Sequence, residues 1–111
     1  MFYKLLCFLV TLIIVFSSGT GYATGSAGTV TLTSVHLEYG YVYLFGKFSN
    51  PDRCATGEVV VIAAANSEEL ARMTSVAITA KTTGKALSVW VDGCQPVPWH
   101  PSAPRAYALS F

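Results

Sequence analysis

Two cysteines, Cys54 and Cys94, constrain this chain more than any other feature. The third, Cys7, lies in an N-terminal apolar run that reads as a leader. Two cysteines then remain in a chain bound for an oxidising compartment, and they are the only intramolecular pair available. A disulfide closing so long a loop contributes about 4 kcal/mol in the chain-entropy model. That matters in a domain of under ninety residues, which buries only about two-thirds of its unfolded surface. The loop holds an apolar segment, GEVVVIAAA, then NSEELARMTSVAITAKTTGK, then ALSVWVDGC.

The leader has three parts: Lys4, the apolar run Leu5 to Phe16, and the small polar segments SSGTGYA and TGSAG. Gly21 and Ala23 occupy the −3 and −1 positions of a cleavage site, so residues 1–23 read as a signal peptide. A cut after Ala27 is the second choice. About twelve apolar residues are too short for a membrane anchor. The expected location is periplasmic or extracellular. Residues 24–111 then form one domain. Its six basic residues (Lys47, Arg53, Arg72, Lys81, Lys85, Arg105) balance six acidic ones (Glu38, Asp52, Glu58, Glu68, Glu69, Asp92). That balance argues against nucleic acid, which draws its affinity from clustered Lys and Arg.

Along the domain, TGSAG reads as a flexible lead-in and TVTLTSVHLEY as a strand. Val30 and Leu32 share one face of it; Val35, Leu37 and Tyr39 share the other. The phase change predicts a bulge or a bend between sheet layers. Gly40 marks a tight turn into YVYLFGKF, apolar on both faces. SNPDRC is turn chemistry. The β-branched run EVVVIAAA predicts a fully buried strand. Asn66 and Glu69 form a capping box for a helix whose apolar stripe is Leu70, Met73, Val76, Ala77 and Ala80, with Gly84 ending it. ALSVWVD alternates as a strand. GCQPVPWHPSAP, with four prolines, reads as a rigid extended connection without regular structure. RAYALSF is the last strand, with Tyr107, Leu109 and Phe111 facing inward.

Strand, strand, strand, helix, strand, strand is the order of an OB-fold-like five-stranded Greek-key barrel plugged by one helix. The alternative is a small α+β sheet with one covering helix. OB barrels bind oligomers on the face of their second and third strands, bordered by the loops joining strands one to two and four to five. Here those places carry Tyr39, Tyr41, Tyr43, Trp99 and His100, and Trp90 can join them from its own strand. Aromatic rings with polar edges suit sugars. No Ser-His-Asp spacing, carboxylate pair or metal-ligand motif emerges, so neither an enzyme nor a cofactor or metal is expected.

With its leader, its strand order and the run from Met73 to Val91 (a helix ending AITAKTTGK, then ALSVWV), the chain resembles a family of small secreted bacterial OB-fold proteins. These are similar to the B subunits of subtilase-type and pertussis-like toxins. The resemblance implies a non-enzymatic role: a self-associating, pentameric ring that binds cell-surface glycans and carries a toxic A subunit. The chain departs from that pattern in being shorter, in the placement of its cysteine pair and in lacking a glycan-pocket motif. No binding residue is carried over from the family. A structural or protein-interaction domain of the bacterial envelope, with no glycan ligand, is the alternative function.

Overall fold

A computed structural model of the chain describes residues 25–111. The expected signal peptide lies outside the described residues. The described chain runs β1 (Gly25–Val30), β2 (Ser34–Glu38), β3 (Tyr41–Phe45), β4 (Val59–Ile62), α1 (Ser67–Thr83), β5 (Leu87–Val97) and β6 (His100–Ser110). It is mostly β with one helix. The six strands form one open sheet in the order β1-β5-β6-β4-β3-β2. Only β4 and β6 run parallel; every other neighbouring pair is antiparallel.

The phase change in TVTLTSVHLEY is a break into two strands, β1 and β2. Val30 and Leu32 both turn into the core. Thr31 to Thr33 then carry the chain from the β5 edge of the sheet to the β3 edge, where the Thr33 amide donates to the Phe45 carbonyl at 2.8 Å. TGSAG is not a flexible lead-in. It supplies most of β1, pairing with β5 from Gly25 opposite Val91 to Val30 opposite Leu87, with a register shift at Ala27. Ala27 is buried beneath the sheet, and its carbonyl accepts from the Ser49 amide.

All four residues of β4 are buried, because both faces of the strand are covered. Val60 and Ile62 join the main core with Leu44, Leu87, Val89 and Val91. Val59 and Val61 point the other way, into a second cluster with Tyr43 and Ala103. Helix α1 closes the main core through Met73, Ala77 and Ala80, with Leu70 and Val76 half-buried beside them. Its start follows the expected cap: Asn66 Oδ1 accepts from the Glu69 amide at 2.9 Å, satisfying a donor the first turn leaves unpaired. Its end is Gly84 at φ 70°, a left-handed conformation that glycine adopts without a Cβ clash.

The proline-rich stretch is where the structure departs most from expectation. GCQPVPWHPSAP is not an irregular connection but the distal half of a β-hairpin. β5 continues to Val97, β6 starts at His100, and Pro98–Trp99 is a two-residue turn. The physical reason lies in the pairing. β1 accompanies β5 only to Val91, and β4 meets β6 from Arg105 onward. Among the described residues, each strand of the hairpin between those limits has a strand partner on one side only, so a proline nitrogen can face outward without removing a ladder bond. The final strand also corrects an expectation. Trp90 pairs with Ala108 and Val91 with Ala106, leaving Tyr107 as the extra residue of a bulge. The bulge reverses the phase. Ala106 is buried and Leu109 half-buried, whereas Tyr107 and Phe111 are exposed instead of facing inward.

The projecting hairpin is held by the loop between β3 and β4. Cys54 and Cys94 form a disulfide with Cα atoms 5.7 Å apart. Beside it, the Gly93 amide donates to Asp52 Oδ2 at 2.7 Å, and the Ala55 amide donates to the Ser102 hydroxyl at 2.9 Å. Asn50 organises the loop from within. Its amide nitrogen donates to the Cys54 carbonyl at 2.8 Å, and its oxygen accepts from the Cys54 amide at 2.9 Å. Replacing both cysteines by alanine is expected to lower unfolding free energy by about 4 kcal/mol. Urea denaturation checks this; an unchanged midpoint would show that the loop holds the hairpin without the covalent link.

Candidate functional site

The two-residue turn Tyr39–Gly40 fixes what the β2–β3 hairpin displays. Both residues have positive φ, 49° and 78°, the signature of a type I′ turn. Such a turn sets the register, so His36 lies opposite Tyr43, Glu38 opposite Tyr41 and Ser34 opposite Phe45. Those six side chains share the outer face of the sheet, away from the main core. Val35, Leu37, Val42 and Leu44 occupy the inner face. There Val42 and Leu44 are buried, whereas Leu37 is 61 % exposed.

Trp99, at the tip of the β5–β6 hairpin, folds back onto this outer face. Its ring centroid lies 5.1 Å from His36, 5.1 Å from Tyr43 and 5.4 Å from Phe45, at angles of 76°, 79° and 62°. These are edge-to-face contacts, each worth about 0.5–1.5 kcal/mol beyond the area they bury. They hold the indole in place while leaving 45 % of the residue open to solvent. Tyr41 extends the aromatic row along β3, 6.2 Å from Tyr43. The row is stiff: Tyr43 is buried within it, and Trp99 and Tyr41 present an indole face and a phenol to solvent.

Polar groups border the rings. His36 Nε2 lies 3.4 Å from Glu38 Oε2, and both side chains are partly exposed, so the pair adds little to stability. Glu38 Oε2 is itself screened from solvent and has no hydrogen-bond donor. Tyr43 is the group most affected. Burial holds its phenol above the usual tyrosine range, and the negative charge of Glu38 and then neighbouring Tyr41 push the same way.

The structure thus brings together three of the sequence-predicted site residues, Tyr41, Tyr43 and Trp99, and separates the others. Tyr39 sits on the turn, 93 % exposed and clear of the ring cluster. His100 begins β6 opposite Val97 and makes no ring contact with the cluster. Trp90 lies on β5 opposite Ser26 and Ala108, three strands from β3 in the sheet order. Two members were missed: His36 and Phe45. Their signal was in the sequence, since the Tyr39–Gly40 turn with alternation on both sides sets His36 opposite Tyr43. Among the described residues, no three His, Cys, Asp or Glu side chains gather into a group that could hold a metal ion. Comparison with family models, curated proteins and solved structures finds no match for this chain.

A raised phenol pKa couples the site to stability. The unfolded chain releases the Tyr43 proton first, near pH 10, so above that pH the native state binds more protons. The contribution of Tyr43 is therefore complete below pH 10 and lost as pH rises through its folded value. Glu38→Gln removes the second cause and leaves the first. Ultraviolet titration of the phenols is expected to show Tyr43 moving down toward, but not reaching, the ordinary value. A titration identical to that of the parent chain would show that Glu38 does not act on it.

Proposed function

We propose that the chain is an extracytoplasmic, OB-fold-like binding module that takes a glycan on the outer face of β2 and β3. The observation that carries this reading is Trp99. A tryptophan at a solvent-facing hairpin tip is held on edge against His36, Tyr43 and Phe45, with nearly half its surface left open. A flat apolar face bounded by the His36 ring, the Glu38 carboxylate and the Tyr41 phenol matches a sugar's C–H face and peripheral hydroxyls. The topology supports the barrel reading. β1 and β2 are consecutive along the chain, yet stand at opposite edges of the sheet, as two halves of one bent first strand would. On that reading β3 is strand two, and the Tyr39–Gly40 and Pro98–Trp99 turns are the loops joining strands one to two and four to five, which border the ligand face of such barrels. The disulfide fits an oxidising compartment.

On a glycan array, the oxidised domain (residues 24–111) is expected to bind a defined subset of sugars. Trp99→Ala should lose about tenfold or more in affinity while keeping its far-ultraviolet dichroism. Retained binding in that variant moves the site elsewhere. Weak single sites on a B-subunit-like module gain avidity only by self-association, so a native mass of five copies is the expected solution state. A monomer would leave the module without its ring and without a seat for an A subunit.

A second reading, a protein-interaction domain without a glycan ligand, is favoured by a separate feature. An open apolar groove of about 560 Å³ runs between the β2–β3 turn and α1, lined by Leu37, Tyr39, Val42, Leu70, Ala71 and Thr74. Leu37 and Tyr39 are among the most exposed large apolar side chains of the described residues. An empty glycan array, together with loss of a partner on Leu37→Ser, would favour that reading.

A further inference from the structure

The aromatic row does not end at Tyr41. The same tyrosine is one wall of a second groove of about 760 Å³, on which Asn66, Glu69, Gln95, Arg105 and Tyr107 converge. The groove is open to solvent along its length. The groove wraps the end of the sheet where β4 leads into α1, with Ile62 and Leu70 also in its lining, and the pairing places its Arg105 side on the outer face. Arg105 is level with Val61, and Val61 is level with Tyr43, so all three side chains share one side of the sheet. Gln95 is opposite Ala103, which belongs to the outer cluster with Tyr43 and Val61. The bulge at Tyr107 brings a further phenol to the rim.

The two regions differ in chemistry. Around Trp99 the contacts are ring faces. Around Arg105 they are two amides, a guanidinium, a carboxylate and two phenols, a set that can both donate to and accept from hydroxyls. Alternate residues of an extended strand stand about 7 Å apart. Ring centroids from Trp99 to Tyr43 and from Tyr43 to Tyr41 are separated by 5.1 and 6.2 Å. A track from Trp99 past the buried Tyr43 ring to Tyr41 and on to Arg105 is longer than a single sugar ring.

Resting on the glycan reading above, we infer that the ligand is a linear oligosaccharide of at least three units. One end stacks on Trp99, the middle crosses exposed Tyr41 with buried Tyr43 supporting the rings from beneath, and the other end is hydrogen-bonded in the groove by Gln95 and Arg105. Arg105 and Gln95 are thus assigned as residues that read chain length, and neither stood out in the sequence. Glu69 lines the same groove as Arg105, so the groove carries both signs of charge and calls for hydroxyl or amide groups rather than a strongly anionic one.

The test uses nested linear series of cello-, malto-, chito- and N-acetyllactosamine-type oligosaccharides, from two to six units, titrated calorimetrically against the oxidised domain. In the series that binds, affinity is expected to rise about tenfold or more between two and four units and then level off. The variants Gln95→Ala and Arg105→Ala should flatten that dependence, and Trp99→Ala should weaken every length. Affinity independent of length overturns the extended site, as does an equal loss for short and long chains in the Gln95 and Arg105 variants. In either case glycan binding itself stands. No binding by any series or by the array overturns the glycan reading and this inference with it. Chemical denaturation of each variant separates a lost contact from a lost fold.

Discussion

Covering both faces of Val59–Ile62 is the constraint on which the rest of this structure depends. A strand with four consecutive buried apolar residues cannot lie at the surface of a sheet. Both of its flanks need paired strands and both of its faces need side chains. β3 and β6 supply the flanks. On one face the helix and the inward residues of β1 and β5 build the main core. On the other, Tyr43, Ala103 and half-buried Phe45 and Val97 form a smaller cluster. Trp99 packs against Tyr43 and Phe45 of that second cluster, so the candidate site is the outer layer of something already needed for folding. Rings held by packing lose little freedom when a ligand arrives.

Features written in local chemistry were legible in the sequence. Asn66 and Glu69 announce the helix start, Gly84 its end, and the β-branched run the central strand. Features that depend on where a segment ends up were not. TGSAG has no apolar periodicity, yet its small residues let β1 lie against β5 with Ala27 buried. The four prolines around Trp99 signal a break in regular structure by every local rule. They are tolerated because that ribbon projects beyond β1 on one side and beyond β4 on the other, a fact of topology alone. Tyr107 was placed on the wrong face because a bulge leaves no mark on an alternating pattern.

The candidate site divides in the same way. Tyr41, Tyr43 and Trp99 could be named from residue type and strand order, and the structure sets them together. His36 and Phe45 follow from the turn register, which fixes partners across the hairpin. Gln95 and Arg105 could not have been named. They reach the outer face through register shifts in β5 and β6 that separate them from the simple count of twos. Trp90, equally conspicuous in composition, lies three strands from the aromatic row. Aromatic content identifies candidates, but sheet order decides which of them meet.

The prolines of the β5–β6 ribbon have a consequence for crowded solutions. A two-stranded ribbon extending beyond its neighbouring strands, pinned by the β3–β4 loop around Gly93 and Ser102, leaves backbone open elsewhere, the usual starting point for one chain to extend another's sheet. Exposed Pro96 and Pro101 have no amide hydrogen to offer, and each interrupts the row of donors an incoming strand would need. The hairpin that displays Trp99 is thereby a poor template for fibril growth. The domain can hold a large, sticky ring away from its core at high concentration without inviting its own copies to polymerise along that edge.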